Sequence, residues 1–169
     1  HPPQSSAVCL GCHATGSEAE DWEKDPAFGA ADGVQCEMCH GPGSEYADAK
    51  VMRNAKTARA AGLIMPTKKD CMGCHLEKGS HVAVLVKPTI DIDKAWDKIS
   101  HLGPADAKLP GKIAMPQAGD PAKRPKYTGV SACTSCHRGQ GRGFQASKWR
   151  MSAHALAHAV LTTSKADEI

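Results

Sequence analysis

Cys36-Glu37-Met38-Cys39-His40 is one of four copies of the pentapeptide Cys-x-x-Cys-His in a chain of 169 residues. The others are Cys9-Leu10-Gly11-Cys12-His13, Cys71-Met72-Gly73-Cys74-His75 and Cys133-Thr134-Ser135-Cys136-His137. Two thiols three positions apart, with an imidazole directly after the second, form the attachment signature of c-type haem. The thiols add across the two vinyl groups of the porphyrin, and the histidine becomes an axial ligand of the iron. All 8 cysteines lie in the four motifs, so the pattern predicts four haem c groups with no thiol left over.

Other uses of paired cysteines fit less well. A Cys-x-x-Cys pair can be half of a zinc ribbon or a thioredoxin-like dithiol. Either reading leaves the residue after the second cysteine free, yet here it is histidine every time, and zinc sites built only from cysteines have no use for it. With 9 histidines in 169 residues, four such coincidences arise by chance roughly once in a hundred thousand sequences. A disulfide framework does not require the repeated spacing at all.

Composition leads to the same cofactor. Leu, Ile, Val and Phe make up only 14% of the chain, a level that in an ordinary sequence points toward disorder. Net charge is only +3, so self-repulsion does not account for the polarity. Four porphyrins would supply the missing apolar surface. The expected fold is mainly α with extensive coil, a haem-cored multihaem cytochrome c with little or no β, and it should not form without haem.

No run of 18 apolar residues exists, so no membrane span is expected. The longest apolar stretch, Val82 to Val86, suits a short strand or a buried segment. The chain opens at His1-Pro2-Pro3 without a secretory signal, as a mature exported chain or an excised module would. C-type haem is attached outside the cytoplasmic membrane, which predicts a periplasmic or extracellular location. Acidic and basic residues (18 and 21) are interspersed, with no block that would suit nucleic acid. The basic balance is compatible with acidic redox partners and selects none of them.

The motifs start at residues 9, 36, 71 and 133, so they follow no fixed period. Helices are predicted over Ser44 to Ala61, Asp91 to His101 and Phe144 to Thr163. Residues 104–125, with five prolines and two glycines, read as a loop or linker inside a single tetrahaem domain spanning residues 1–169.

The sixth iron position decides function. A second histidine closes the iron for electron transfer, methionine does so at higher potential, and an open position makes a reaction site. Beyond the motif histidines His13, His40, His75 and His137, five remain as candidate distal ligands: His81, His101, His154, His158 and His1. His154 and His158 are expected one turn apart on the last helix. Met65 and Met115, each in a Met-Pro loop, are the rival ligands.

Two longer signatures carry a family resemblance. Cys36 to Gly43 reads CxxCHGPG, and Cys133 to His137 is followed by Trp149-x-x-Ser152-x-His154-Ala155. Both resemble signatures of multihaem cytochromes, in particular the tetrahaem cytochrome family that takes electrons from hydroxylamine oxidoreductase and the subunits of extracellular cytochrome filaments (nanowires). The resemblance implies a distal-ligand role for His154 and for His101. It also implies electron exchange with redox proteins or an extracellular acceptor.

Two departures stand out. The CxxCH that leads into WxxSxHA comes first in that family and last here. Relatives often place a histidine soon after CHGPG, where this chain has Ser44-Glu45-Tyr46. Both departures point to a distal histidine exchanged between subunits of a homopolymer, with His1 or His158 as the donor. The expected function is electron transfer without substrate chemistry. The alternative is a small reductase of nitrite, hydroxylamine or nitric oxide that uses one five-coordinate haem.

Overall fold

The computed structural model describes residues 2–84, 90–101 and 124–169. These residues form short helices joined by turns, with no strand among them. The nearest approach to a sheet is an isolated parallel bridge between Lys24 and Tyr127. The helices are α1 (Ala7–His13), α2 (Cys36–His40), α3 (Ala49–Met52), α4 (Ala55–Ala60), α5 (Lys68–Cys71), α6 (Gly79–Ala83), α7 (Ile92–Ile99), α8 (Val130–Thr134), α9 (Gln145–Arg150) and α10 (Ser164–Asp167).

The architecture is mainly α with extensive coil, as expected, but two of the predicted helices are divided. Ser44 does not cap a helix. Its N–H donates to the Lys126 carbonyl and its Oγ accepts from the Lys126 N–H, which draws residues 44–47 into a turn. Helix begins after Asp48, whose side chain caps Lys50, and restarts at Asn54, whose side chain caps Lys56 and Thr57.

The predicted helix from Phe144 to Thr163 is likewise broken. Only α9, a 3-10 turn over Ala159–Thr162 and α10 are helical within or just beyond it. Between α9 and that turn the carbonyls serve other donors. The His154 carbonyl takes the Val34 N–H at 2.9 Å, and the Ala157 carbonyl lies 2.7 Å from His13 Nδ1. With these carbonyls turned across the molecule, residues 151–158 form turns rather than a continuous i to i+4 ladder. His154 and His158 therefore do not share one helical face. The predicted Asp91 to His101 helix matches α7, which Asp91 caps through the Lys94 N–H.

The apolar stretch that starts at Val82 begins inside α6 rather than in a strand, and Val84 is buried. Residues 85 and 86 lie outside the described residues, as do His1, Met115 and positions 104–123 of the expected linker.

Backbone hydrogen bonds converge on Gly33 to Gln35. The Gly33 carbonyl accepts from Thr15 N–H at 3.0 Å, and Gln35 N–H donates to Thr15 Oγ1 at 2.8 Å. The Val34 carbonyl accepts from the Trp149 indole N–H at 2.7 Å. Gln35 Nε2 donates to the Gly29 carbonyl, and its Oε1 accepts from the Val130 N–H. Thr15 and Gln35 are fully buried polar side chains, and these bonds satisfy them.

Gly33 fills this hub for a steric reason. Its φ is +73, and a Cβ there would sit 2.6 Å from the His154 carbonyl oxygen. Gly33→Ala should lower stability by about 2 kcal/mol or more. Gly79→Ala, where nothing lies within 4 Å of the added carbon, should leave it nearly unchanged. Thermal melts of the two variants beside the parent check this.

Candidate functional site

Each motif sits on or against a short helix. In a helical turn the first cysteine, the second cysteine and the histidine fall at i, i+3 and i+4, hence on one face. All eight thiols are free of disulfides. Their neighbours link the motifs in pairs: Cys74 lies beside Cys12, and Cys36 beside Cys133. Cys39 and Cys71 are close enough to influence one another electrostatically. Burial first, then the neighbouring thiols, pushes Cys39 and Cys74 up to about 11.

Three motif histidines each face a histidine from outside the motifs. His13 and His81 have ring centres 6.0 Å apart. His40 and His101 stand 5.9 Å apart, and His75 and His154 6.0 Å apart. A metal–imidazole bond is about 2.0 Å long; two such bonds, plus about 1 Å from each ring centre to its nitrogen, come to about 6 Å. The spacing therefore fits one metal ion held between each pair.

Ring orientation fits as well. The Nδ1 atoms of His13 and His40 lie 2.7 and 2.8 Å from the carbonyls of Ala157 and Ile64. That of His101 lies 3.0 Å from the Ile99 carbonyl. A carbonyl can only accept, so the hydrogen sits on Nδ1 and Nε2 is left with its lone pair, as a metal ligand requires. Burial pushes His40, His81 and His154 below the ordinary histidine value, which keeps their rings neutral.

Packing agrees with a large flat apolar group beside these rings. Apart from Val34, Tyr46, Val84 and Leu161, the buried apolar residues described are alanines. Val8, Met151 and Leu156 are exposed at 89%, 88% and 59%, more apolar surface than a chain so poor in such residues would leave to water unaided. The free thiols, the neutral facing imidazoles and this apolar surface together fit haem c. Among the described residues, no group of three or more His, Cys, Asp or Glu side chains gathers as a zinc cage would need.

The remaining candidates are placed differently. Among the described residues no imidazole faces His137, whose ring is held below its usual value by burial, then by Arg142 and His101. His158 is partly exposed and precedes the 3-10 turn over Ala159–Thr162. His1 and Met115 lie outside the described residues. The loop holding Met65 serves His40 through the backbone of Ile64, whose N–H donates to the His40 carbonyl at 2.9 Å.

Two residues that shape the site have roles the sequence did not signal. The Tyr46 hydroxyl donates to the carbonyls of Gly41 and His40 at 2.5 and 3.1 Å. Tyr46 is buried to 2% exposure. Glu37, inside the second motif, is the other, and two of its partner residues, Thr128 and Gly129, lie more than 90 positions downstream. Trp149 and Ser152 of the last signature now have physical roles. The indole pins α9 to Val34, while the Ser152 hydroxyl closes the turn onto the Trp149 carbonyl, and His154 follows.

Comparison with known proteins comes from two sources. The family model described as "Cytochrome c554 and c-prime" matches residues 2–41. The multiheme cytochrome MtrA of Shewanella baltica (strain OS185) is 27% identical over 172 residues. That match covers 97% of this chain, which spans only 46% of the length of that relative. No solved structure matches the chain. These likenesses support a multihaem c-type cytochrome, with haem c as its cofactor. Among the described residues, no helix is long and apolar enough to cross a membrane.

Trp149→Phe keeps the ring and deletes the N–H that holds Val34. It should cost about 1–3 kcal/mol, the usual consequence of leaving a half-buried carbonyl unpaired. Chemical denaturation of the variant and its parent measures the difference.

Proposed function

We propose that the chain carries electrons through four covalently held haem c groups and performs no substrate chemistry. The observation that carries this is the pairing of three motif histidines with three non-motif histidines at 5.9 to 6.0 Å. When bound, haem c supplies a one-electron iron couple, which two histidine ligands set at low potential. Cys9, Cys12, Cys36, Cys39, Cys71, Cys74, Cys133 and Cys136 are the thioether positions, two for each group. His13, His40, His75 and His137 are the proximal ligands. His81, His101 and His154 are the distal ligands opposite the first three.

The thiol contacts suggest the order in which the groups adjoin. Cys12 meets Cys74, Cys71 neighbours Cys39, and Cys36 meets Cys133. Electrons would then pass between the first, third, second and fourth motifs in that sequence. The protein's part is to fix spacing and orientation through the Nδ1 bonds and the Gly33–Gln35 hub, and to keep water from the rings. An exported location, periplasmic or extracellular, follows from where haem c is attached.

The fourth position is where two readings divide. Because no imidazole among the described residues of the same chain faces His137, its partner is either a group from outside those residues or from a neighbouring copy, or nothing. We favour the first, with a distal histidine lent by a neighbouring copy, from His1 or His158, in a filament. The second is an open iron suited to reducing nitrite, hydroxylamine or nitric oxide.

Electron paramagnetic resonance of the oxidised, fully loaded protein separates them. Low-spin signals alone are expected, and His81→Ala, His101→Ala and His154→Ala should each add one high-spin iron. A high-spin quarter in the parent would bring the reductase forward, and distal variants without any spectral change would sink the ligand assignment. Filaments seen by negative stain, and lost in His158→Ala or on deleting His1, would establish the shared ligand.

A further inference from the structure

Glu37 is a charged side chain that the electron-transfer reading does not account for. It sits between the two cysteines of the second motif and is 2% exposed. Its Oε1 accepts from Gly43 N–H at 2.7 Å, Thr128 N–H at 2.8 Å and Thr128 Oγ1 at 3.1 Å. Its Oε2 accepts from Gly129 N–H at 2.8 Å. Three of the four partners are backbone N–H groups that can only donate, the arrangement an ionised carboxylate accepts.

Those donors belong to two different places. Gly43 ends the CHGPG run behind α2. Thr128 and Gly129 lead directly into α8, which carries Cys133. The Cys36 and Cys133 thiols meet at the same junction. One negative charge, shielded from water, is therefore built in where the second and fourth motifs join, and among its polar partners there is no Lys or Arg.

We infer that the Glu37 carboxylate lowers the reduction potentials of the two haems attached at the second and fourth motifs. The oxidised iron carries one more positive charge than the reduced iron. A fixed negative charge nearby favours the oxidised form and makes each one-electron reduction harder. Donor groups orient the charge and offset only part of its field, and burial spares it the screening that salt imposes on surface charges.

The assignment rests on the four-haem reading, and its test distinguishes the two. Haem stain and intact mass come first, since a chain carrying fewer than four haems would refute that reading before any potential is measured. With four haems loaded, a spectroelectrochemical titration of Glu37→Gln should show two of the four midpoints raised. The expected rise is about tenfold in the reduction equilibrium, or about 59 mV for one electron. The other two midpoints should stay in place.

Thr128→Val keeps the charge and removes one donor from it, so the same two midpoints should move the opposite way, downward, by a smaller step. A residue that served only as a structural clip would shift both variants in the same direction. Unmoved midpoints in Glu37→Gln, or unmoved or raised ones in Thr128→Val, would overturn the inference. If Glu37→Gln fails to take up haem, the direction of the Thr128→Val shift decides.

Discussion

Two imidazoles facing one another across the width of one metal ion are the constraint on which the rest of this structure depends. Such a pair tolerates little error, because a ring moved by an ångström no longer keeps the spacing that a shared metal ion needs. The chain meets that demand with backbone groups. His13, His40 and His101 each place Nδ1 on a carbonyl, and a carbonyl is fixed by the main chain in a way that a long side chain is not. The coil-rich fold is consistent with this. The carbonyls of Ala157 and Ile64 that orient imidazoles lie outside the α-helices, and that of Ile99 at the end of α7.

The run from Trp149 to His158 shows the exchange most clearly. Its alanine content and apolar spacing favour a continuous helix, yet the backbone leaves the helix after α9. One carbonyl then reaches Val34 and another reaches His13. The same few residues orient His154 opposite His75 and steady His13 opposite His81. Tertiary hydrogen bonds to buried partners outweigh a few tenths of a kcal/mol of propensity per residue.

What the sequence discloses and what it hides divide along that line. The four motifs, the cofactor class and the low apolar content are local or compositional and can be read directly. The α7 helix is legible because Asp91 caps it and Gly103-Pro104 follows it. The separate helices between residues 44 and 61 are not, since Ser44 looks like a cap until Lys126 claims both its N–H and its hydroxyl. The five surplus histidines mark a set of candidates but carry no pairing, which depends on which loops meet. Tyr46 and Glu37 were hidden for a similar reason. One turns back onto backbone carbonyls, and the other is held by residues that only the folded chain brings near.

The histidine pairs also determine how the chain must assemble. The links 13–81, 40–101 and 75–154 overlap, because the second begins before the first closes and the third begins before either is complete. No stretch of the chain contains a finished pair without also containing half of another. Glu37 adds a further crossing, tying the second motif to residues 128 and 129, and the Gly33–Gln35 hub ties α1 to the segment after α9. Separated contacts of this kind carry a large loop-closure cost that short helices cannot offset by themselves. Haem groups fixed covalently at the motifs, on the proposed reading, would give each distal histidine a large apolar target to close onto, so attachment would come before folding in a chain with so little apolar core of its own.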